Sequence, residues 1–97
     1  MANYPISITP DHAFDPPTQK VKSGDTVTWT DNDPDQNTSH TVTPDDSTAF
    51  TGSGDLNTGD KFGPITFSGA PRTIPYYCVY HGGPGGVGMA GQIVVTA

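Results

Sequence analysis

Residues branched at the β carbon are the feature of this sequence that most limits its fold. Valine, isoleucine and threonine account for 26 of the 97 residues, whereas leucine occurs once and glutamate does not occur. Branching restricts χ1 in a helix but suits the pleated surface of a sheet. Leucine and glutamate are good helix formers, so their scarcity also disfavours helices. The composition therefore predicts an all-β chain.

Apolar residues that alternate with polar ones locate the strands. Ile6 and Ile8 alternate with polar neighbours, and so do Val27 and Trp29, which is the period of a half-buried strand. Seven or eight short strands separated by turn residues predict a Greek-key β-sandwich. The further predicted strands lie at 19–22, 41–43, 49–51, 61–67, 73–80 and 92–96.

Glycine and proline locate the turns. Ser23-Gly24-Asp25 suits a tight reversal, so the strands before and after it are predicted to form a hairpin. The segment 82–88 contains five glycines and one proline. Because glycine has high backbone freedom, this segment is predicted to lack regular structure.

The length of the chain limits both its core and its number of domains. Ninety-seven residues fit one domain and leave no room for a second core, so we expect a single domain over residues 1–97. A domain of this size buries only about 60 to 65% of the surface that its unfolded chain exposes. A bound metal would therefore help to stabilise it.

The chain is acidic, and its charge excludes several classes of partner. Ten aspartates against four lysines and arginines give a formal net charge of -6, which would repel nucleic-acid phosphates and anionic lipid headgroups. No run of about 18 apolar residues is present to insert into a membrane. The sequence also lacks the apolar stretch of a signal peptide, and we expect that Met1-Ala2-Asn3 stands in place of a removed signal.

Four residues have the side chains of a soft-metal site. Two residues separate Cys78 from His81 at the end of a predicted strand, and Met89 precedes the last strand. His40 lies where a polar loop becomes a strand, and it can join the others if strand pairing brings the two loops to one end. A thiolate and two imidazoles with an axial thioether are diagnostic of a blue-copper site.

The sequence around these residues resembles that of the plastocyanin-like cupredoxins. The likeness lies in Tyr76-Tyr77-Cys78-x-x-His81, in Met89-Ala90-Gly91-Gln92, and in the segment 21–29 followed by His40-Thr41-Val42. The resemblance spans nearly the whole chain, in order. It implies a cupredoxin fold, one type 1 copper ion and reversible Cu(II)/Cu(I) electron transfer. It also implies an extracytoplasmic location, in the periplasm, the thylakoid lumen or the cell exterior.

Two positions depart from the family pattern. Seven residues separate His81 from Met89, more than plastocyanin-like members usually have. Met-x-Gly before the last strand keeps its spacing, so Met89 is retained as the axial ligand. Thr41 follows His40 where many members have an asparagine that ties the two ligand loops together. We expect Thr41 to offer its backbone N–H to the sulfur of Cys78, and a shorter hydroxyl.

The donor set favours electron transfer over catalysis. Four protein donors leave no open position for a substrate, so we expect no enzymatic activity. A cysteine–histidine hydrolase would need an oriented base and an oxyanion site, and no such signature occurs. Structural zinc sites usually contain more cysteine. Three alternatives stay open: a copper delivery or storage protein, a cupredoxin domain excised from a larger oxidase or reductase, and a metal-free adhesion sandwich.

Other side chains have simpler interpretations. Trp29 and the tyrosines are expected to be core and strand residues rather than electron relays, with Tyr77 and Tyr80 as the candidates for an electron path. His12 is expected to be an ordinary surface histidine. The loop aspartates favour a redox partner with a basic docking surface, with the segment 82–88 as the contact over His81. We expect the chain to act as a monomer.

Overall fold

Eight strands in two four-stranded sheets make up the structure, a computed structural model that describes residues 2–96. The prediction of an all-β sandwich of seven or eight strands is confirmed. The described part of the chain has no helix that is long and apolar enough to cross a membrane. The strands are β1 (Asn3–Ile8), β2 (Phe14–Asp15), β3 (Thr18–Lys22), β4 (Asp25–Asp31), β5 (Thr43–Pro44), β6 (Lys61–Phe67), β7 (Arg72–Gly83) and β8 (Val87–Thr96).

The first sheet has the strand order β2-β1-β4-β6, and the sequence of β4 explains its central place. Residues of β4 are alternately buried and half-buried along the whole strand, because Val27 and Trp29 enter the core while threonines lie on the other face. β4 pairs in parallel with β1, which places Ile6 opposite Trp29, and antiparallel with β6. The alternation in the sequence therefore predicts the inward face of this sheet.

The second sheet has the strand order β3-β8-β7-β5, and it contains the hairpin that carries most of the candidate ligands. β7 and β8 pair antiparallel from Arg72–Val95 to Tyr77–Ala90, and the pairing resumes at Gly82–Gly88 after an irregularity. β3 lies parallel to β8, and β5 pairs with β7 on the other side. Cys78 and His81 lie at the irregular end of this hairpin.

Aromatic side chains join the two sheets. Trp29, on β4, is fully buried, and its ring meets that of Tyr76, on β7, edge-on with 5.4 Å between centroids. Phe14 meets Tyr76 in the same manner at 4.7 Å. Each aromatic side chain buries about 150–250 Å² of surface, so these contacts supply much of the stability of a small core. The prediction that Trp29 is a core residue is confirmed.

The turn at residues 23–24 does not join paired strands, so the predicted hairpin is wrong. β3 pairs with β8 in the second sheet, whereas β4 pairs with β1 in the first. The carboxylate of Asp25 holds this crossing, because it accepts hydrogen bonds from the backbone N–H groups of Ala2 and Lys22, both at 2.9 Å. A turn signal indicates that the chain reverses, but not which sheet each strand joins.

Two predicted strands also need correction. Residues 49–51 form no strand, because the chain there follows a turn in which Ala49 N–H donates to the carbonyl of Asp46 at 2.9 Å. Of the strand predicted at 41–43, only Thr43 belongs to β5. The backbone of His40 is instead bridged to Leu56, so loop–loop pairing replaces the start of the strand.

The glycine-rich segment 82–88 is regular, contrary to the prediction. Gly82 pairs with Gly88 and Gly83 with Val87, so only three residues form the turn. Two of them, Gly85 and Gly86, have φ angles of 86° and 78°, which glycine adopts without steric cost. A Cβ on Gly82 would lie 2.7 Å from the backbone nitrogen of Met89. Glycine therefore lets the two strands approach and extends the hairpin.

Candidate metal centre

His40 is held at the site by its backbone. Its N–H donates to the carbonyl of Leu56 at 3.0 Å, and the N–H of Leu56 donates back to the carbonyl of His40 at 2.7 Å. The side chain of His40 is completely buried. The loops that contain His40 and Leu56 are thus joined by the same pair of backbone hydrogen bonds that two antiparallel strands form, and this pair holds the candidate ligand in place.

The sulfur of Cys78 is the point where two imidazole rings meet. Cys78 is fully buried, and Nδ1 of His40 and Nδ1 of His81 lie 3.8 Å and 3.5 Å from its Sγ. The ligand atoms of the three residues all lie within 4.8 Å of one another. The two loops therefore meet at one end of the sandwich, which is the arrangement that the candidate set requires.

An irregularity in β7 lets Cys78 and His81 face the same point. Residues three apart in a regular strand point to opposite faces of a sheet. Here the pairing of β7 with β8 shifts register between Tyr77 and Gly82, so the alternation is broken between the two ligand residues. The chemistry of the site therefore depends on a local departure from strand geometry.

Asp33 orients the ring of His40, a role that no motif in the sequence indicates. Nε2 of His40 lies 2.9 Å from Oδ2 of Asp33, a carboxylate that is only 4% exposed. Hydrogen bonding at the far nitrogen fixes the orientation of a metal-binding histidine, and it leaves Nδ1 facing Cys78. The hydrogen bond from His40 lowers the pKa of Asp33, which keeps the carboxylate charged.

Thr41 ties the two ligand loops together as predicted. Its backbone N–H donates to Sγ of Cys78 at 3.4 Å. Its hydroxyl accepts a hydrogen bond from the backbone N–H of Val79 at 3.0 Å. Both the direct contact with the sulfur and the loop-to-loop contact are therefore present, although threonine is shorter than asparagine.

Met89 begins the inner part of β8, beside the ligand-bearing segment of β7. Its side chain is 2% exposed and belongs to the hydrophobic core. The next residue, Ala90, pairs with Tyr77, one position before Cys78. This position suits the proposed axial role, and the contact between the Met89 sulfur and a metal stays a prediction.

The donor set fits copper on chemical grounds. One thiol sulfur and two imidazole nitrogens converge where Cys78 and His40 are sealed from water, and these are ligands for a soft or borderline metal. Burial lowers the pKa of His81, which favours the neutral imidazole that binds a metal. The three residues present are therefore suited to hold the ion that the sequence predicts.

His12 lies on the surface as predicted, but it contacts the site. Its ring centroid lies 4.0 Å from that of His81 and 5.5 Å from that of His40. The loop between β1 and β2 brings it there, since β1 ends at the same end of the sandwich. No ligand spacing in the sequence connects residue 12 with the others, so this contact could not be read from it.

Charge is unevenly distributed between the two ends of the molecule. Lys22 pairs with Thr96 and Arg72 with Val95, so these cations lie about six residues, or about 20 Å, from Cys78 along the sheet. Lys20 lies near them on β3. The metal end holds six of the ten aspartates, namely Asp31 at the end of β4 and Asp11, Asp33, Asp35, Asp55 and Asp60 in the loops, together with one cation, Lys61, at the start of β6.

Comparisons with known proteins agree with this description. The sequence matches no protein-family profile and no curated protein sequence. Its fold is similar to that of a purple cupredoxin from Nitrosopumilus maritimus, with 26% identity, 96% of this chain and 99% of that chain covered, and a TM-score of 0.74.

Two further solved structures share the fold. A variant of amicyanin, in a Cu(I) structure, has 24% identity, with 96% of this chain and 81% of that chain covered and a TM-score of 0.75. The Cu-containing nitrite reductase (NirK) from Thermus scotoductus SA-01 has 20% identity, with 97% of this chain but only 22% of that chain covered and a TM-score of 0.74. The chain is thus similar in fold to known cupredoxins, and three of its candidate ligands, His40, Cys78 and His81, lie together at one end of that fold.

Proposed function

We propose that this protein carries single electrons between redox proteins through one type 1 copper ion, with His40, Cys78, His81 and Met89 as ligands. The observation that supports the proposal is the approach of two imidazole Nδ1 atoms to one buried sulfur, at 3.8 Å and 3.5 Å. When bound, copper supplies a one-electron Cu(II)/Cu(I) couple.

The burial of the donors favours an electron carrier over a copper delivery protein. His40 and Cys78 are fully buried and Met89 nearly so, so water and competing ligands have little access to them. Cys78, His81 and Met89 lie on the paired strands β7 and β8, and the backbone of His40 is bridged to Leu56; donors held in this way limit rearrangement between oxidation states. Release of copper to another protein would instead require exchangeable, exposed donors. Because four protein donors leave no position for a substrate, we propose that the chain is not an enzyme.

A domain of a larger copper enzyme is the second candidate. The nitrite reductase from Thermus scotoductus has this fold in 22% of its chain, so the fold occurs inside longer proteins. The purple cupredoxin is matched over 99% of its length, which favours an independent carrier. We therefore propose a single domain over residues 1–97, acting as a monomer outside the cytoplasm.

The surface around His81 suits contact with a redox partner. His81 is half-buried, so it is the histidine ligand that approaches the surface. Val79, Tyr80 and Val87 on the same hairpin are 47%, 56% and 62% exposed. An apolar contact of this kind, surrounded by loop aspartates, favours a partner with a basic surface around its redox centre.

The test of this proposal is the visible spectrum of the protein after addition of Cu(II). We expect an intense thiolate-to-copper band and one copper per chain, because Cys78 binds as the thiolate. Cys78→Ser should abolish the band. Ser68→Ala, on an exposed loop at the other end, is the matched control and should keep it.

Reduction and reoxidation then separate the two roles. A carrier should regain the full band over many cycles in the presence of a copper chelator, whereas a delivery protein should lose copper. A Cys78→Ser protein that kept the band and the stoichiometry would contradict the assigned ligands.

A further inference from the structure

His12 is presented to the metal end by a strained turn. Its φ angle is 57°, in the left-handed region that few residues other than glycine adopt, with histidine among the more tolerant. Hydrogen bonds close the turn: the backbone N–H of His12 donates to the carbonyl of Thr9 at 3.2 Å, and Thr9 N–H donates to the carbonyl of Ala13 at 2.9 Å. Such strain persists where the surrounding structure over-determines it, often at functional sites.

The ring of His12 lies beside those of His40 and His81, with 5.5 Å and 4.0 Å between ring centroids. Ligand atoms of His12, Asp33 and His40 all lie within 4.8 Å of one another. In this cluster Asp33 lies 2.9 Å from Nε2 of His40, whereas Nδ1 of the same ring lies 3.8 Å from the Cys78 sulfur. His40 thus presents one nitrogen to each of two groups of donors.

We propose that His12, Asp33 and Nε2 of His40 form a second, outer site for a borderline divalent cation such as zinc. Two imidazole nitrogens and one carboxylate oxygen are a common zinc donor set, and three protein ligands leave a position for water. His12 is exposed while Asp33 and His40 are buried. The cation would therefore enter from solvent on the side of His12 and bind to two buried ligands that are already held in position. The aspartates of the same loops add a favourable charge.

The two sites use different nitrogens of His40. Neutral imidazole carries one proton and one free lone pair. When the ring proton is on Nδ1, Nε2 is free to bind a cation together with Asp33. Copper on Nδ1 would leave the ring proton on Nε2, donated to Asp33, so the two sites exclude each other on a neutral ring. The outer site therefore exists in the protein whose inner donors are free, and it does not depend on the copper proposal.

Packing is the alternative role of His12. A ring 4.0 Å from His81, tilted by 33°, could simply cover that side chain. His12→Phe keeps an aromatic ring without a metal-binding nitrogen, and His12→Asn keeps a residue that tolerates the left-handed backbone. The two variants separate ligation from packing and from backbone strain.

The experiment uses the full chain with Cys78→Ser, which removes the thiolate from the inner donors. Zn(II) is titrated by calorimetry, and the imidazole nitrogens are followed by ¹⁵N NMR. We expect one zinc per chain, with metal-induced shifts at His12 and at Nε2 of His40. Both His12→Phe and His12→Asn in this background should weaken binding at least about 100-fold, since residues that only orient metal ligands already contribute about 10- to 100-fold.

Asp11→Asn is the matched control, because it removes a neighbouring exposed charge but no ligand; its effect should stay within about threefold. Unchanged zinc affinity in both His12 variants would overturn the outer site. So would NMR shifts confined to Nδ1 of His40 and His81. The copper proposal is tested separately by the colour of the chain that retains Cys78, so failure of either one can be recognised.

Discussion

Individual side chains beside the ligands decide how the ligands are held. Thr41 could be predicted to contact the sulfur of Cys78, because it follows His40 directly, and its N–H lies 3.4 Å from that sulfur. Asp33 could not, since it lies seven residues before His40 in a loop with several aspartates. Local sequence identifies a neighbour along the chain, whereas a neighbour across a loop depends on how the loop folds.

At this scale the axial position gives the first prediction. Met89→Leu should keep copper bound through His40, Cys78 and His81, yet raise the reduction potential, because an apolar axial side chain favours Cu(I). Stability should change by less than about 1.5 kcal/mol, as the two side chains have similar volumes. Voltammetry and the visible spectrum measure the effect. If both stay unchanged, Met89 is not a ligand.

The hairpin of β7 and β8 is the element on which the site depends most. It carries Cys78 and His81 on one strand and Met89 on the other. The pairing of the two strands is interrupted between Tyr77 and Gly82, which is the stretch that contains Cys78 and His81. The glycine content of the segment 82–88 predicts an irregular loop, but the glycines allow the strands to pair again beyond the break. Composition alone could not distinguish a flexible loop from a close approach of two backbones.

A pair of substitutions tests that close approach. In Gly82→Ala the new Cβ would meet the backbone of Met89 and Val87, with the Met89 nitrogen at 2.7 Å, so the strands must separate. We expect a loss of about 1–3 kcal/mol of unfolding free energy and a shifted copper spectrum. In Gly83→Ala the nearest atom is the Val87 Cβ at 3.9 Å, and the change should stay within about 0.5 kcal/mol. Equal effects of the two substitutions in denaturant unfolding would show that Gly82 has no special role.

The crossing from β3 to β4 gives a prediction about pH. Hydrogen bonds from the backbone N–H groups of Ala2 and Lys22 lower the pKa of Asp25 below 3.8. A carboxylate whose pKa is lowered on folding stabilises the fold above its unfolded pKa, and this contribution is lost as the pH falls through the folded value. Asp25→Asn should therefore lower the melting temperature at pH 7, and the difference should shrink below about pH 4.

Asp15→Asn is the charge-matched control for Asp25→Asn, since Asp15 is exposed on β2. It should leave the melting temperature at pH 7 nearly unchanged. A constant difference between Asp25→Asn and the parent protein from pH 7 to pH 3 would refute the role given to the charged Asp25.

Across the whole molecule, the metal end is more acidic than the opposite end. Three of the four lysines and arginines, namely Lys20, Lys22 and Arg72, lie on the half of the sandwich away from the ligands. The ligand end has one cation, Lys61, but six of the ten aspartates. A basic partner would be attracted to the metal end and would meet it first. Net charge in the sequence predicts the sign of a partner's charge, whereas the expectation that this partner approaches the metal end depends on the arrangement of the strands.

Electron exchange with a basic c-type cytochrome tests this orientation. The bimolecular rate measured by stopped flow should fall as ionic strength rises from about 0.01 to 0.2 M, because screening shortens the range of attraction. Asp11→Asn, at the metal end, should slow the reaction at low salt more than Asp46→Asn, which lies nearer Arg72. A rate independent of salt, or equal effects of the two substitutions, would exclude steering by the acidic end.

The sequence by itself determined the all-β class, the inward faces of β1 and β4, and the choice of His40, Cys78 and His81 as candidate ligands. The first two depend on periodicity and the third on residue type and motif, which are properties that can be read along the chain, whereas the meeting of His40 with Cys78, 38 residues away, required the fold. Tertiary structure alone decided that β3 and β4 join different sheets, that Asp33 orients His40, and that His12 reaches the ring of His81. Each of these involves a contact between segments whose separation along the chain carries no signal, because strand pairing and loop packing choose partners by shape and burial.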